Sequence, residues 1–153
     1  MARHWRVIDF EAGDLGAGDL RGVVREVLRL AGTMDVEALG MHLADDVVMS
    51  LPYAPEGYAR EHVGKPAVVR FQRAAARSFS SFAMHVDRVI STSDPRVFVA
   101  EHHSEGVAAL TGRPYRNRYV TIFELDDAAR ITRWIEYYDP TVVTAAFSTP
   151  ADG

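Results

Sequence analysis

Two ionisable side chains stand in segments otherwise built for burial. Glu136 lies in RITRWIEYYDP (130–140), flanked by Trp134, Ile135, Tyr137 and Tyr138, and carboxylates are rare among bulky strand-forming residues. His102 lies in RVFVAEHHSEG (96–106). Apolar surroundings disfavour the carboxylate, so the pKa of a buried glutamic acid climbs toward neutrality, where it can give or take a proton. An imidazole titrates in the same range. Glu136 and His102 therefore form a candidate general acid/base pair. Asn117, Tyr119 and Ser104 are suited to fixing a substrate oxygen by hydrogen bonding. Trp134, Tyr138, Phe82, Met84 and Val86 are suited to an apolar wall. Each has an ordinary structural alternative. A glutamate can pair with Arg133 or a helix end, a histidine can belong to the core, polar side chains can satisfy buried backbone, and aromatics pack by default.

Strand alternation is what would bring these residues together, because side chains i and i+2 share a face. Trp134, Glu136 and Tyr138 fall on one face of the last segment; Arg133, Ile135, Tyr137 and Asp139 fall on the other. Phe98, Ala100, His102, Ser104 and Gly106 share a face, with His103 pointing away. Tyr115, Asn117, Tyr119, Thr121 and Phe123 oppose a set containing Arg116, Arg118 and Glu124. The charged sets suit the outside. Their counterparts mix aromatics with sparse polar groups, the composition of a small-molecule pocket.

The elements carrying these faces follow from the pattern. LRGVVREVLRLAG (20–32) has helical spacing, with Asp19 as N-cap and Gly32 as stop. MDVEALGMHL gives a short second helix, DDVVMSLP a strand ending at Pro52, and KPAVVRFQRAAARSF a third helix with Pro66 in its first turn. Four strand-like segments follow, separated by SDPR, TGRP and DDAA turns. TVVTAAF adds a short tail helix. The segment 53–63, with Tyr53, Tyr58 and His62, reads as a loop placed to act as a lid, its side chains solvated rather than catalytic. Helices first and a strand meander afterwards is an α+β pattern. The expectation is three helices and one long, curved antiparallel sheet forming a cone, in a single domain over 1–153 with a less ordered arm (1–18) and tail (148–153).

Composition removes several function classes. The 153 residues are 48% hydrophobic and 25% charged, as in ordinary globular proteins. With 17 basic and 21 acidic side chains the formal net charge is -4, which disfavours nucleic acid. The chain has no cysteine, so disulfide and thiolate chemistry are excluded. No apolar run approaches membrane-spanning length and the first residues do not read as a secretion signal, so the expected location is cytoplasmic and no membrane partner is expected. His102 and His103 point to opposite faces, and no spaced ligand set completes a shell, so no metal is expected. GAGDLRG lacks a preceding strand and phosphate-loop spacing. No cofactor is expected.

The order of elements, together with TGRPYRNRYVTIFEL and ITRWIEYYDP, resembles the nuclear transport factor 2-like superfamily. The nearer resemblance is to its SnoaL-like branch, which includes polyketide cyclases, ketosteroid isomerase relatives, limonene-epoxide hydrolase and phenazine-biosynthesis proteins. The resemblance spans roughly Leu20 to Phe147 and implies a cystatin-like α+β barrel. Limonene-epoxide hydrolase carries E-R-x-D and W-R-D-Y-F-D; here EHHS (101–104) and WIEYYD (134–139) stand in their place. His102 thus falls at the arginine, Ser104 at one aspartate and Glu136 at the other. The hydrolase's water-orienting Tyr and Asn match Val48 and Ser50, which puts Ser50 at the pocket wall. The water-activating set is largely missing. The phenazine proteins' R-E-F-x-N-P is similar to IEYYDP, again with Glu136 at the acidic position.

The resulting expectation is a cofactor-free general acid/base enzyme on an apolar, oxygenated small molecule. A cyclase, epoxide-opening or aldol-type, or an isomerase of natural-product biosynthesis leads the alternatives. With the hydrolytic set depleted, a substrate hydroxyl replaces water and gains from proximity. An epoxide hydrolase with an altered triad and a non-catalytic small-molecule-binding or dimerisation protein are the other readings. The resemblance further implies a homodimer formed through the outer sheet face. Asp139, just before Pro140, is expected to be structural.

Overall fold

The structure is a computed structural model that describes residues 19–149. The expected arm, 1–18, and the last four positions of the expected tail lie outside the described residues. Chain order is α1 (Leu20–Thr33), α2 (Val36–Gly40), β1 (Leu43–Ser50), β2 (Glu61–Val63), α3 (Lys65–Arg77), β3 (Phe79–Ser91), β4 (Val97–Ala108), β5 (Pro114–Leu125), β6 (Ile131–Tyr138) and α4 (Pro140–Phe147). The six strands make one curled, unclosed sheet in the order β2-β1-β6-β5-β4-β3.

The helices begin where side chains can satisfy the first free backbone N–H groups. Asp19 accepts from the Arg21 N–H at 3.1 Å, Asp35 caps α2 through Ala38, and Asp139 caps α4 through Thr141. The last is the structural role expected of Asp139. Val24, Val27, Leu28 and Leu30 form the buried stripe of α1. They pack with Leu39, Leu43, Val47, Phe123 and Ile131 in the main core. α4 folds back over the other end of the sheet, where Ala146, Val143 and Phe147 meet Tyr115, Phe79 and Phe82. Arg113 donates to the Ala145 and Ser148 carbonyls at 3.0 and 2.9 Å. This cation sits where the helix dipole favours it.

Four sequence expectations change. The sheet is mixed: β3 to β6 form the expected antiparallel meander, but β1 runs parallel to β6. The turns that reveal antiparallel neighbours say nothing about a pairing between the first and last long strands. The segment expected as loop contains β2, paired to β1 through Met49 opposite His62. Ser50 does not line the interior. A register shift between Leu43 and Val48 leaves Val47, Met49 and Leu51 buried, with Val48 and Ser50 on the other face.

Gly32 is not the stop of α1, which ends one residue later with Met34 in the left-handed conformation (φ 58°). Gly32 instead allows α1 to approach β3. A β-carbon there would lie 2.9 Å from Met84 Cβ, an atom held by the strand backbone. Helix propensity alone favours alanine over glycine by about 1 kcal/mol, whereas overpacking costs about 1–3 kcal/mol. Gly32→Ala is therefore expected to lower the melting temperature. Stabilisation in a thermal melt would show that the helix can move away without cost.

Candidate active site

The concave side of the sheet does not fill completely. α1, α3, α4 and the loop before β2 close over it and leave a cavity of about 420 Å³, a size typical of small-molecule sites. Small residues keep it open. Ala74, Ala75 and Ala76 of α3, Ala31 of α1 and the loop residues Ala54 and Ala59 all border it. Phe71, Phe79, Phe82, Met84, Trp134 and Phe147 supply much of the apolar wall. Among the described residues, its titratable lining groups are Glu136, His62, Tyr58, Tyr115, Tyr119 and Tyr138, and no lysine or arginine borders it.

Glu136 opens onto this cavity. Alternation in β6 places Trp134 two residues away on the same face, and the Trp134 indole N–H donates to Glu136 Oε2 at 3.0 Å. Apolar surroundings push the Glu136 carboxyl up to about 7, opposed in part by hydrogen bonding from Trp134 and Thr121. Burial also raises the phenols of Tyr115, Tyr119 and Tyr138, so they remain neutral hydrogen-bonding groups at physiological pH.

His62 reaches the same cavity from β2, contrary to the expectation of a solvated loop residue. Its ring lies 4.4 Å from that of Phe71, and its Nε2 is buried without a hydrogen-bond partner among the described residues. Burial lowers its pKa below the usual 6.5. The register runs His62, Met49, Trp134 across β2, β1 and β6. Two strand spacings, roughly 10 Å, therefore separate the backbones carrying His62 and the Trp134–Glu136 pair. Both side chains border the space between. The sequence signal was three residues, outward Glu61, inward His62, outward Val63, too short to separate from loop. Tyr58 also lines the cavity, whereas Tyr53 is exposed and stacks edge-on against Tyr137 at 5.5 Å.

The remaining expected site residues divide. Phe82, Met84, Tyr119, Trp134 and Tyr138 line the cavity with Glu136. His102 does not. It is on the concave side of β4 but only 1% exposed, beneath Tyr119, whose ring stacks on it at 4.8 Å and 6°. Its Nε2 is 2.8 Å from Thr121 Oγ1, and burial pushes its pKa down to about 4. Direct proton exchange between His102 and a ligand in the cavity is thus closed off. Val86 packs against the core instead of the opening. Ser104 is buried and spent on the Tyr119 hydroxyl at 2.8 Å. His103 points outward, as expected, and bonds Asp87 at 2.9 Å.

Asn117 is likewise a structural clamp and not a substrate ligand. Its amide donates to the Tyr115 hydroxyl at 3.1 Å and the Asp139 carbonyl at 3.0 Å; its oxygen accepts from the Arg118 and Asp139 N–H groups. This ties β5 to the junction between β6 and α4. Strand alternation turns Asn117 inward, but the partners that consume its polar groups include Asp139, from a distant part of the chain. Removing one side of a buried hydrogen bond costs about 1–3 kcal/mol. Asn117→Ala should therefore lower thermal stability by that order while leaving Glu136 in the cavity. Unchanged melting would disprove the clamp.

Known proteins agree with this architecture. The SnoaL-like domain family matches residues 24–134. YesE of Bacillus subtilis (strain 168), an uncharacterized protein, is 31% identical over 103 residues, 67% of this chain and 69% of YesE. The crystal structure of a proposed isomerase from Bacillus subtilis is similar at a TM-score of 0.75 and 28% identity, covering 84% of this chain and 92% of that one. A phenazine biosynthesis-related protein from Pseudomonas aeruginosa has a TM-score of 0.70 and 23% identity, covering 92% of this chain and 90% of its own; at that identity the likeness is one of fold. A curled, unclosed six-stranded sheet with helices on its concave side, and a match across most of the chain, lead to one assignment: the chain belongs to the SnoaL-like domain family.

Proposed function

We propose that the protein is a general acid/base enzyme acting on an uncharged, apolar, oxygenated small molecule, and that it catalyses ring closure or isomerisation. The observation that carries this is the Glu136 carboxyl, pushed up to about 7 at the wall of an apolar cavity that no lysine or arginine among the described residues borders. A carboxylate- or phosphate-bearing ligand would meet no lysine or arginine of the described residues there. A neutral ligand with a carbonyl, epoxide or hydroxyl would meet a protonated carboxyl and several phenols.

His62 is the second proton-transfer group. Burial moves the two pKa values toward each other's ordinary range, Glu136 up and His62 down, and such displacement assigns roles. Near neutrality Glu136 retains a proton and His62 lacks one. Glu136 then donates to the substrate oxygen, and His62 accepts from the substrate hydroxyl or carbon acid. This replaces the expected pair of Glu136 and His102. Hydrolysis is disfavoured because Ser50 faces away from the cavity and Ser104 and Asn117 are committed elsewhere, leaving few groups to position water. The names of similar solved structures, a proposed isomerase and a proposed polyketide cyclase from Xanthomonas campestris pv. campestris, support this class of reaction.

The test uses neutral hydroxy-epoxides in water enriched in oxygen-18, and poly-β-ketones, whose carbonyl oxygens exchange with water, with the carbon ring formed as the readout. From the hydroxy-epoxides a cyclised or isomerised product without solvent oxygen is expected. A labelled diol would make the protein a hydrolase, and tight binding without turnover would make it a carrier.

On a turned-over substrate, kcat/KM should be bell-shaped, falling above about pH 7 as Glu136 loses its proton and at acid pH as His62 gains one. Glu136→Gln should cut kcat by on the order of a hundredfold or more and abolish the alkaline limb. His62→Phe should remove the acid limb. Near-normal turnover in the folded Gln variant would exclude Glu136 as the acid.

The same substitution has a stability signature. The folded-state value of Glu136 lies above its unfolded value of 4.5, so the folded state holds the proton more tightly. Stability from this group is full below the unfolded value and is lost as pH rises through about 7. The Gln variant should therefore gain more melting temperature relative to the original protein at alkaline than at acid pH. An equal difference at both pH values would mean that Glu136 is not held in an apolar environment.

A further inference from the structure

The reading of Glu136 as the acid leaves His102 without a direct role, yet a sealed imidazole with one unpartnered nitrogen is not ordinary core filling. We propose that His102 is a positioning residue that, through Thr121, fixes the hydroxyl proton facing the Glu136 carboxyl. The inference rests on the proposed function above and deepens it.

His102 is neutral, since burial pushes it down to about 4, and a neutral imidazole carries one N–H. Among the described residues its Nδ1 is buried with no partner, whereas its Nε2 lies 2.8 Å from Thr121 Oγ1. Orphaned buried donors are rare, so the proton belongs on Nε2. Thr121 must then accept from His102. Its own single proton is left for another acceptor.

Thr121 is fully buried and stands directly opposite Glu136 in the β5–β6 register, on the same face. Its hydroxyl is one of the two hydrogen-bonding groups that act on the Glu136 carboxyl, beside the Trp134 indole. The ring of His102 cannot swivel to release it, because Tyr119 stacks flat against it and the Tyr119 hydroxyl is held by Ser104 and Tyr115 at 2.8 and 2.9 Å. The His102–Thr121 hydrogen bond thus has one polarity, and the proposed chain extends it from Thr121 on β5 to its register neighbour Glu136 on β6.

The other titratable groups facing Glu136 are Tyr115 and Tyr119 from β5, Tyr138 from β6, Tyr58 from the loop and His62 from β2; α1, α3 and α4 present no charged side chain to the cavity. None substitutes for a donor fixed opposite the carboxyl. The chain moderates what burial alone would do to Glu136 and sets the angle at which its free oxygen meets a ligand.

Carbon-13 NMR of protein labelled at the glutamate carboxyl reads the Glu136 titration, with the resonance assigned by its loss in Glu136→Gln. Thr121→Val should raise the midpoint by about one pH unit. His102→Phe, which keeps a ring against Tyr119 but has no N–H, should raise it by about half as much or more. The double variant should match Thr121→Val alone. An unshifted midpoint in His102→Phe, or additive shifts in the double variant, would overturn the proposal. Nitrogen-15 spectra of the unsubstituted protein need no variant to fold. They should show His102 protonated at Nε2 and bare at Nδ1, and a proton on Nδ1 overturns the proposal. An ordinary carboxylate midpoint for Glu136 in the unsubstituted protein would refute its role as the acid. The tautomer measurement would still decide the His102 chain separately.

Discussion

A carboxyl group withdrawn from water must either lose its charge or find replacements for its hydration shell. At Glu136 both happen in part. The surrounding apolar wall favours the protonated form, while the Trp134 indole and the Thr121 hydroxyl favour the ionised one. The balance near neutrality depends on the size and dryness of the cavity, hence on the small residues of α3 that decline to fill it.

The concave face has two polar layers. Glu136, Tyr119 and Tyr138 open on the cavity, with His62 and Tyr58 arriving from the segment after β1. His102, Ser104, Asn117 and Thr121 lie sealed among strands or against α4. The sealed layer is hydrogen-bonded almost throughout, as buried polar groups generally are, and it immobilises the open one: Ser104 holds the Tyr119 hydroxyl, and Asn117 anchors the turn that ends β6. Rigid support of this kind would keep a proton donor, the role proposed for Glu136, in one geometry without further reorganisation.

The outer face is chemically distinct. Arg88 pairs with Glu101, His103 with Asp87, and the His85 and His103 rings stack at 5.0 Å. Partly exposed pairs like these contribute little stability individually. No described helix is long and apolar enough to cross a membrane. A homodimer built on the outer face is a proposal drawn from the family resemblance.

Local rules by themselves determined a good deal. Period-two alternation put Trp134, Glu136 and Tyr138 on one face and His102, Ser104 and Asn117 on the concave side, and helix spacing with Asp19 found α1. These signals were legible because each repeats within one element and depends only on which side faces apolar surroundings. Tertiary structure alone decided which inward polar groups remain free. Asn117 is consumed by Asp139 and Ser104 by Tyr119; Tyr119 covers His102, and a three-residue strand turns His62 toward the cavity beside the Trp134–Glu136 strand. Alternation specifies a direction but not a depth. Whether an inward side chain meets a ligand or another side chain is set by partners far away in the chain, and no local pattern encodes them.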